Sequence, residues 1–483
     1  MNVKDQELRE QATLEIQKHK LQVESDPYRL TYHLMPPVGL LNDPNGFIHW
    51  KGTYHLFYQW MPFKTGHGAK FWGHYSSPDL VHWTHEGIAL TPSDWFDKNG
   101  CYSGSAVDDN GTLTVFYTGN VKDEKNNRET YQCLAVSEDG LEFEKQGVVA
   151  TLPKGYTAHF RDPKVWKKGE HWYMVVGAQS LQLDGKAVLF RSSNLKEWEH
   201  LGAIAGGNTD RLGYFGYMWE CPDLFELNGK DVLVVCPQGI EPEGMLYQNV
   251  YQAGYFVGQL DYEKARYTHG QFTELDRGFE FYAPQTTLDA KGRRLLVAWM
   301  GVPDQQEDQQ PTISHKWVHT MTIPRELTLI DGKLYQQPIK ELEQLRQNQV
   351  SYEQVSINNG VLELDQVRGK SIELGIQDLS YGDRSIEISL RGEIRFIYDP
   401  QEKQATLERK SYVNGLTEAR HCRLERLTSL QIFLDTSSLE IFVNGGEEVF
   451  TSRIFPYPDN ELITFASKGS FNFHVNKWDL KYD

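Results

Sequence analysis

Cysteine is scarce in this chain. Five residues in 483, at positions 101, 133, 221, 236 and 422, form an odd and widely scattered set with no C-x-x-C pair. Neither a disulfide framework nor a zinc site is indicated. His33, His49, His74 and His82 show no ligand-like spacing either, so no metal and no other cofactor is expected. Long apolar runs are missing as well: nothing approaches the ~18 uninterrupted residues of a membrane span. The first 25 residues are polar and charged, without the apolar core of a secretory signal, and a cytoplasmic location is the expectation. Positive charge is in deficit, 49 Lys and Arg against 66 Asp and Glu, for a net charge of −17. That balance argues against nucleic acid or an anionic membrane as partner. A small anionic substrate stays open, because a local basic pocket can oppose the global field.

What the chain does have is a repeat. Five heads recur about every 60 residues: Asn42-Asp43-Pro44-Asn45-Gly46, Tyr102-Ser103-Gly104-Ser105, Phe160-Arg161-Asp162-Pro163, Trp219-Glu220-Cys221-Pro222-Asp223 and Tyr282-Ala283-Pro284-Gln285. Most heads lead into a short apolar run, a Gly-containing turn (Lys51-Gly52, Asn110-Gly111, Lys168-Gly169, Asn228-Gly229, Lys291-Gly292) and a second apolar run. This spells strand, tight turn, strand. A further element, Ser77-Pro78-Asp79-Leu80, Ser137-Glu138-Asp139-Gly140 and Ser193-Asn194-Leu195, fits the turn between a third and a fourth strand. Four-stranded sheets repeated radially make a β-propeller, here with five blades.

The organisation read from the sequence is all-β: a helical extension over 1–29, a five-bladed propeller over 30–335, a linker with a short helix over 336–350, and a β-sandwich over 351–483. The last segment alternates apolar and polar residues, as in Ser385 to Leu390 and Leu439 to Val443, and carries no cluster of acids like those in the repeat. It is read as a packing and oligomerisation module, with a homodimer left as one open assembly state.

Three heads carry an acid. Arranged radially, Asp43, Asp162 and Glu220 converge on one axis although they are far apart in sequence. Two facing carboxyl groups, one ionised and one protonated, are the equipment of glycoside hydrolysis. Asn42 and Asn45 can keep Asp43 charged. Glu220, among Met218, Trp219, Cys221 and Phe225, has an apolar setting that favours the protonated form of a general acid, with a pKa of roughly 6. Asp162 beside Arg161 is expected to stay ionised and bind hydroxyls.

These motifs resemble those of the family 32 glycoside hydrolases, the invertases, fructanases and sucrose-6-phosphate hydrolases, and the likeness runs from Tyr32-His33-Leu34-Met35-Pro36-Pro37 to Arg453-Ile454-Phe455-Pro456. The resemblance implies that Asp43 is the nucleophile, Asp162 the transition-state stabiliser and Glu220 the acid/base, on a propeller with a C-terminal sandwich. It implies substrate contacts at Leu40, Asn42, Gln59, Trp72, Tyr102, Ser103, Arg161, Tyr282 and Trp299. Two departures stand out: His67 replaces a Trp common in relatives, and Glu280 replaces an Asp. Both are assigned to the surroundings of the leaving-group pocket.

The string His67-Gly68-Ala69-Lys70-Phe71-Trp72-Gly73-His74 looks most like the intracellular bacterial sucrose-6-phosphate hydrolases. The expected substrate is a small sugar or sugar phosphate. With no Gly-rich phosphate loop in the chain, basic side chains must read a phosphate, and His67 and Lys70 are the candidates. The alternatives are an exo-fructanase or fructosyltransferase of the same fold, or a sugar-binding propeller without catalysis, which the loss of one acid would mark.

Overall fold

A computed structural model describes residues 2–209 and 212–482. Five four-stranded antiparallel sheets follow one another in sequence. Their innermost strands are Gly39–Trp50, Cys101–Asp109, Tyr156–Lys168, Met218–Leu227 and Tyr282–Leu288. Each blade then zigzags outward, the fourth with a two-residue extra strand, Thr273–Glu274, on its third strand. A parallel pairing of Trp317–Val318 with Gly39–Leu40, at the start of the first blade's innermost strand, ties the long fifth-blade connection back to blade one. The propeller closes on itself here.

The turn chemistry explains the blades. Lys51-Gly52, Asn110-Gly111 and Asn228-Gly229 have positive φ at both residues, the type I′ geometry whose twist matches a tight hairpin. At the outer turns a serine folds the chain back: Leu80 N donates to Ser77 Oγ at 2.8 Å and Leu195 N to Ser192 Oγ at 2.9 Å. Indole N–H groups of Trp83 and Trp198 then donate to the carbonyls of Leu80 and Leu195, both at 2.8 Å.

The helix expected near the N-terminus spans Val3–Glu24. It is pinned to the first blade by Arg9, which donates to the carbonyls of Ile88 and Ala89. The last strand of the propeller is Lys333–Pro338, so the expected boundary at 335 falls inside it; the short linker helix is a 3-10 helix, Lys340–Leu345, and the sandwich begins at Arg346. Two long strands, Arg346–Leu362 and Ile463–Leu480, pair with each other along most of their length. Ile463–Leu480 also pairs with Ile386–Leu390 through its first half and with Ile372–Tyr381 through its second. The sandwich is thus nearly closed at this edge.

The seam between the two domains is built from buried charge. Glu280 receives two hydrogen bonds from the Arg409 guanidinium, at 2.6 and 2.7 Å, and one from Arg453 N at 2.8 Å. Arg325 sits between Glu440 and Asp276, and His33 between Asp435 and Glu440. Glu280 therefore belongs to this seam and not to a leaving-group pocket, which corrects the assignment made from the sequence. Two acids of the sandwich, Asp435 and Glu440, are spent on holding the propeller side of the seam.

Candidate active site

Each innermost strand breaks register at its head. The shifts lie between Leu41 and Pro44, Tyr102 and Gly104, Arg161 and Lys164, Glu220 and Asp223, and Tyr282 and Gln285. Such bulges leave an extra residue unpaired, and a proline at this point loses nothing because no ladder bond is needed. Pro44, Pro163, Pro222 and Pro284 occupy the position. In the second blade Gly104 takes it, where a Cβ would come within 1.8 Å of the Phe116 carbonyl oxygen. Asp162, Cys221 and Ala283 carry positive φ. In a regular strand consecutive side chains point to opposite faces. The bulge lets Asn42 and Asp43, Tyr102 and Ser103, and Arg161 and Asp162 all reach one cleft.

The five equivalent positions at the bulge are Asp43, Ser103, Asp162, Cys221 and Ala283. Glu220 stands one residue earlier, level with Asn42, Tyr102, Arg161 and Tyr282. The acids therefore form two tiers: Asp43 and Asp162 in one, Glu220 in the other. The cleft above them holds about 1320 Å³, open to solvent, and is lined by all three acids together with Gln59, His67, Lys70, Arg128, Gln238 and Trp299, among others.

Asp43 is braced on both oxygens. Asn42 Nδ2 donates to Oδ1 at 3.0 Å, and Ser103 Oγ to Oδ2. Its pKa is raised, chiefly by burial, with the Glu220 charge adding and Ser103, Asn42 and Lys70 opposing. Asp162 Oδ2 accepts from Cys221 N at 3.0 Å. The Cys221 thiol lies 3.6 Å from both Asp43 Oδ2 and Asp162 Oδ2, bridging the two carboxyl groups.

The Arg161 guanidinium does not serve its neighbour Asp162. It donates to Glu220 Oε1 from Nε at 2.9 Å and from Nη2 at 2.6 Å. Asp162 is instead pushed up to about 7, first by burial, with Arg161 opposing and the charges of Glu220 and Asp43 adding. The sequence-based expectation of a permanently ionised Asp162 is corrected: in a buried site shared by three carboxyl groups, desolvation outweighs one cation. Glu220 is corrected too. Its Oε2 accepts from Gln238 Nε2 and Tyr282 OH, both at 2.7 Å, so it faces four donors and not an apolar wall.

The remaining candidates divide. Asn42, Gln59, Tyr102, Ser103, Arg161, Tyr282 and Trp299 line the cleft. Gln59 is held by a 2.7 Å bond to the Cys101 carbonyl. Leu40 and Trp72 do not reach it: Leu40 packs with Met61 and Val318, and Trp72 is fully buried in the core with its indole N–H on the Tyr102 carbonyl at 3.1 Å. Both support the site from behind. His67 and Lys70 reach the cleft already engaged. His67 Nε2 pairs with Glu307 at 3.0 Å, and Lys70 Nζ, almost fully buried, donates to Asn42 Oδ1 at 2.6 Å. Burial takes Lys70 down to about 7 despite the attraction of Asp43 and Glu307.

The sequence reading missed Gln238, Lys122 and Arg128. Gln238 was within reach, since Gln59, Gln179 and Gln238 all stand at or near the end of their blade's second strand. Lys122 and Arg128 gave no local signal and are gathered only by the hairpin. No group of His, Cys, Asp and Glu arranged to hold a metal occurs among the described residues.

The chain belongs to glycoside hydrolase family 32. Residues 33–338 match the family's N-terminal domain and residues 341–480 its C-terminal domain. It is 56% identical to the sucrose-6-phosphate hydrolase of Bacillus subtilis (strain 168) over 99% of this chain and 100% of that protein. Among solved structures, a sucrose-6-phosphate hydrolase from Lactobacillus gasseri superposes with a TM-score of 0.87 at 31% identity, covering 97% of this chain and 96% of the other. A Bombyx mori GH32 beta-fructofuranosidase gives 0.86 at 34% identity, covering 99% and 98%.

Proposed function

We propose that the protein is a retaining β-fructofuranosidase that cleaves the fructosyl bond of sucrose 6-phosphate, and of sucrose, to release fructose and glucose 6-phosphate or glucose. The observation that carries the reading is the two-tier cluster of Asp43, Asp162 and Glu220 at the floor of a single open cleft, in a chain whose full-length relative bears that activity in its name. All three acids are present, which disfavours a sugar-binding propeller without catalysis.

In the first step the ionised Asp43 attacks C2 of the fructosyl unit. The bond from C2 to the glucosyl oxygen breaks, and that oxygen takes the proton of Glu220. In the second, Glu220, now a carboxylate, takes a proton from water while the water oxygen attacks C2 and Asp43 leaves. Asp162, held by the Cys221 amide, binds ring hydroxyls and opposes the positive charge that builds on the sugar. Arg161, Gln238 and Tyr282 fix the plane of the Glu220 carboxyl from both sides. Among the described residues no helix is long and apolar enough to cross a membrane. A phosphorylated sugar does not cross a bilayer unaided, so an enzyme that consumes it works where the sugar is phosphorylated, which supports a cytoplasmic location.

Initial rates on sucrose and sucrose 6-phosphate, with the anomeric form of the first fructose released, test the reading. A higher kcat/KM for the phosphorylated sugar and retained configuration are expected. An inverted first product, or substantial activity in Asp43→Ala, would reject the mechanism.

A further inference from the structure

Sucrose 6-phosphate carries its phosphate on glucose, the leaving group, so the cations that read it belong on the Glu220 side of the cleft. His67 and Lys70 are poorly placed for that task. His67 is paired with Glu307, and Lys70 is bonded to Asn42 within the electrostatic reach of Asp43, on the nucleophile side.

Two other cations line the same cleft. Lys122 ends the strand Thr112–Lys122 and Arg128 begins the strand Arg128–Ser137, and the two are direct partners across the hairpin. Like charges placed opposite each other on antiparallel strands repel. Neither side chain has a carboxylate partner among the described residues. Two of the nearby acids are engaged elsewhere: Asp123 accepts from Lys125 N, Asn127 N and Asn127 Nδ2, and Glu129 from Tyr131 OH; the third, Glu124, is exposed in the turn. Arg128 lies over the Tyr102 ring, 5.8 Å from its centroid. It lines the same cleft as Arg161, Glu220 and Asp162 and lies within electrostatic range of all three.

Resting on the sugar-phosphate reading above, we infer that Lys122 and Arg128 form the clamp for the 6-phosphate of the leaving glucose. The guanidinium fork gives paired donors to phosphate oxygens and the lysine a mobile point charge. A phosphate bound between them offsets the repulsion the hairpin otherwise carries, and the two cations supply local positive potential in a chain of net charge −17.

The test is the ratio of kcat/KM for sucrose 6-phosphate to that for sucrose, in wild type, Lys122→Gln, Arg128→Gln, the double variant and His67→Ala. This ratio does not depend on the fraction of enzyme that is folded. Each Gln variant should lower it by about ten-fold or more, mainly through KM, and weaken inhibition by glucose 6-phosphate more than by glucose. His67→Ala should change it less. A wild type that prefers the phosphorylated sugar while the double variant keeps that preference overturns the clamp alone, as does a larger loss in His67→Ala. A wild type with equal kcat/KM on both sugars overturns the sugar-phosphate reading and the clamp with it.

Discussion

Lys70 Nζ donates to Asn42 Oδ1 at 2.6 Å, and this bond decides which end of the Asn42 amide faces Asp43. An ammonium group only donates. While Lys70 is charged, the amide therefore presents its oxygen to Lys70 and its NH₂ to the carboxylate. Lys70 also attracts the ionised form of Asp43 directly. Lys70→Met removes both effects, so the Asp43 pKa, already raised by burial, should rise further. In the proposed mechanism Asp43 acts as the carboxylate, so the acid limb of the kcat/KM profile should move to higher pH, with the deficit deepest at low pH. An acid limb left in place would show that Lys70 only fills space.

Asp162 is expected to tighten on the sugar as positive charge develops. An interaction made mainly in the transition state appears in kcat. Asp162→Asn should lower kcat by about a hundred-fold or more with a modest change in KM. A variant altered only in KM would assign Asp162 to ground-state binding.

In the proposed mechanism Glu220 supplies the proton for the leaving oxygen. Glu220→Ala should abolish hydrolysis of sucrose yet spare a substrate whose leaving group needs no proton, and added azide should accelerate release of the fructosyl unit from Asp43. Lack of relative rescue by either route would place the acid elsewhere, provided the variant melts as a folded protein.

Glu280 holds Arg409 in the domain seam, with both side chains under 5% exposed. Glu280→Ala takes from the buried Arg409 guanidinium its buried carboxylate and leaves it Glu418 at 2.8 Å, a loss of about 3 kcal/mol that denaturant titration would read. The preference between sucrose 6-phosphate and sucrose should not move, because Glu280 is buried in the seam and does not line the cleft. A changed preference with unchanged stability would restore it to the pocket.

His33 couples seam stability to pH. Burial disfavours its imidazolium, but the bonds to Asp435 at 2.9 Å and Glu440 at 3.2 Å win, and its pKa is raised above 6.5. Its contribution is therefore complete below pH 6.5 and lost as pH rises through the raised value. Asp435 and Glu440 are held below their ordinary values of 3.8 and 4.5, and their contributions are complete above those values and lost as pH falls through the lowered ones. The difference in melting temperature between wild type and His33→Gln should be largest between about pH 5 and 6 and shrink toward pH 9. A difference independent of pH would mean that His33 is buried neutral.

The sequence by itself determined the architecture and the identity of the three acids. Gly-containing turns and the spacing of the heads are local features, and a repeat with an acid at its head points to one axis whatever the details of packing. What only the tertiary structure decided is which side chain serves which. Arg161 adjoins Asp162 in sequence, yet the bulge turns its guanidinium to Glu220 on the next blade. Glu280 adjoins Phe281 and Tyr282, yet it lies just before the strand Tyr282–Leu288, where the Arg409 guanidinium and Arg453 N hold it in the seam. Trp72 and Leu40 lie near the cleft residues in sequence but face the core. Lys122 and Arg128 become one feature only when a hairpin sets them opposite each other. Pairing across blades depends on strand register and on side-chain direction at each bulge. Both are set by long-range packing, which neighbouring residues in the chain do not encode.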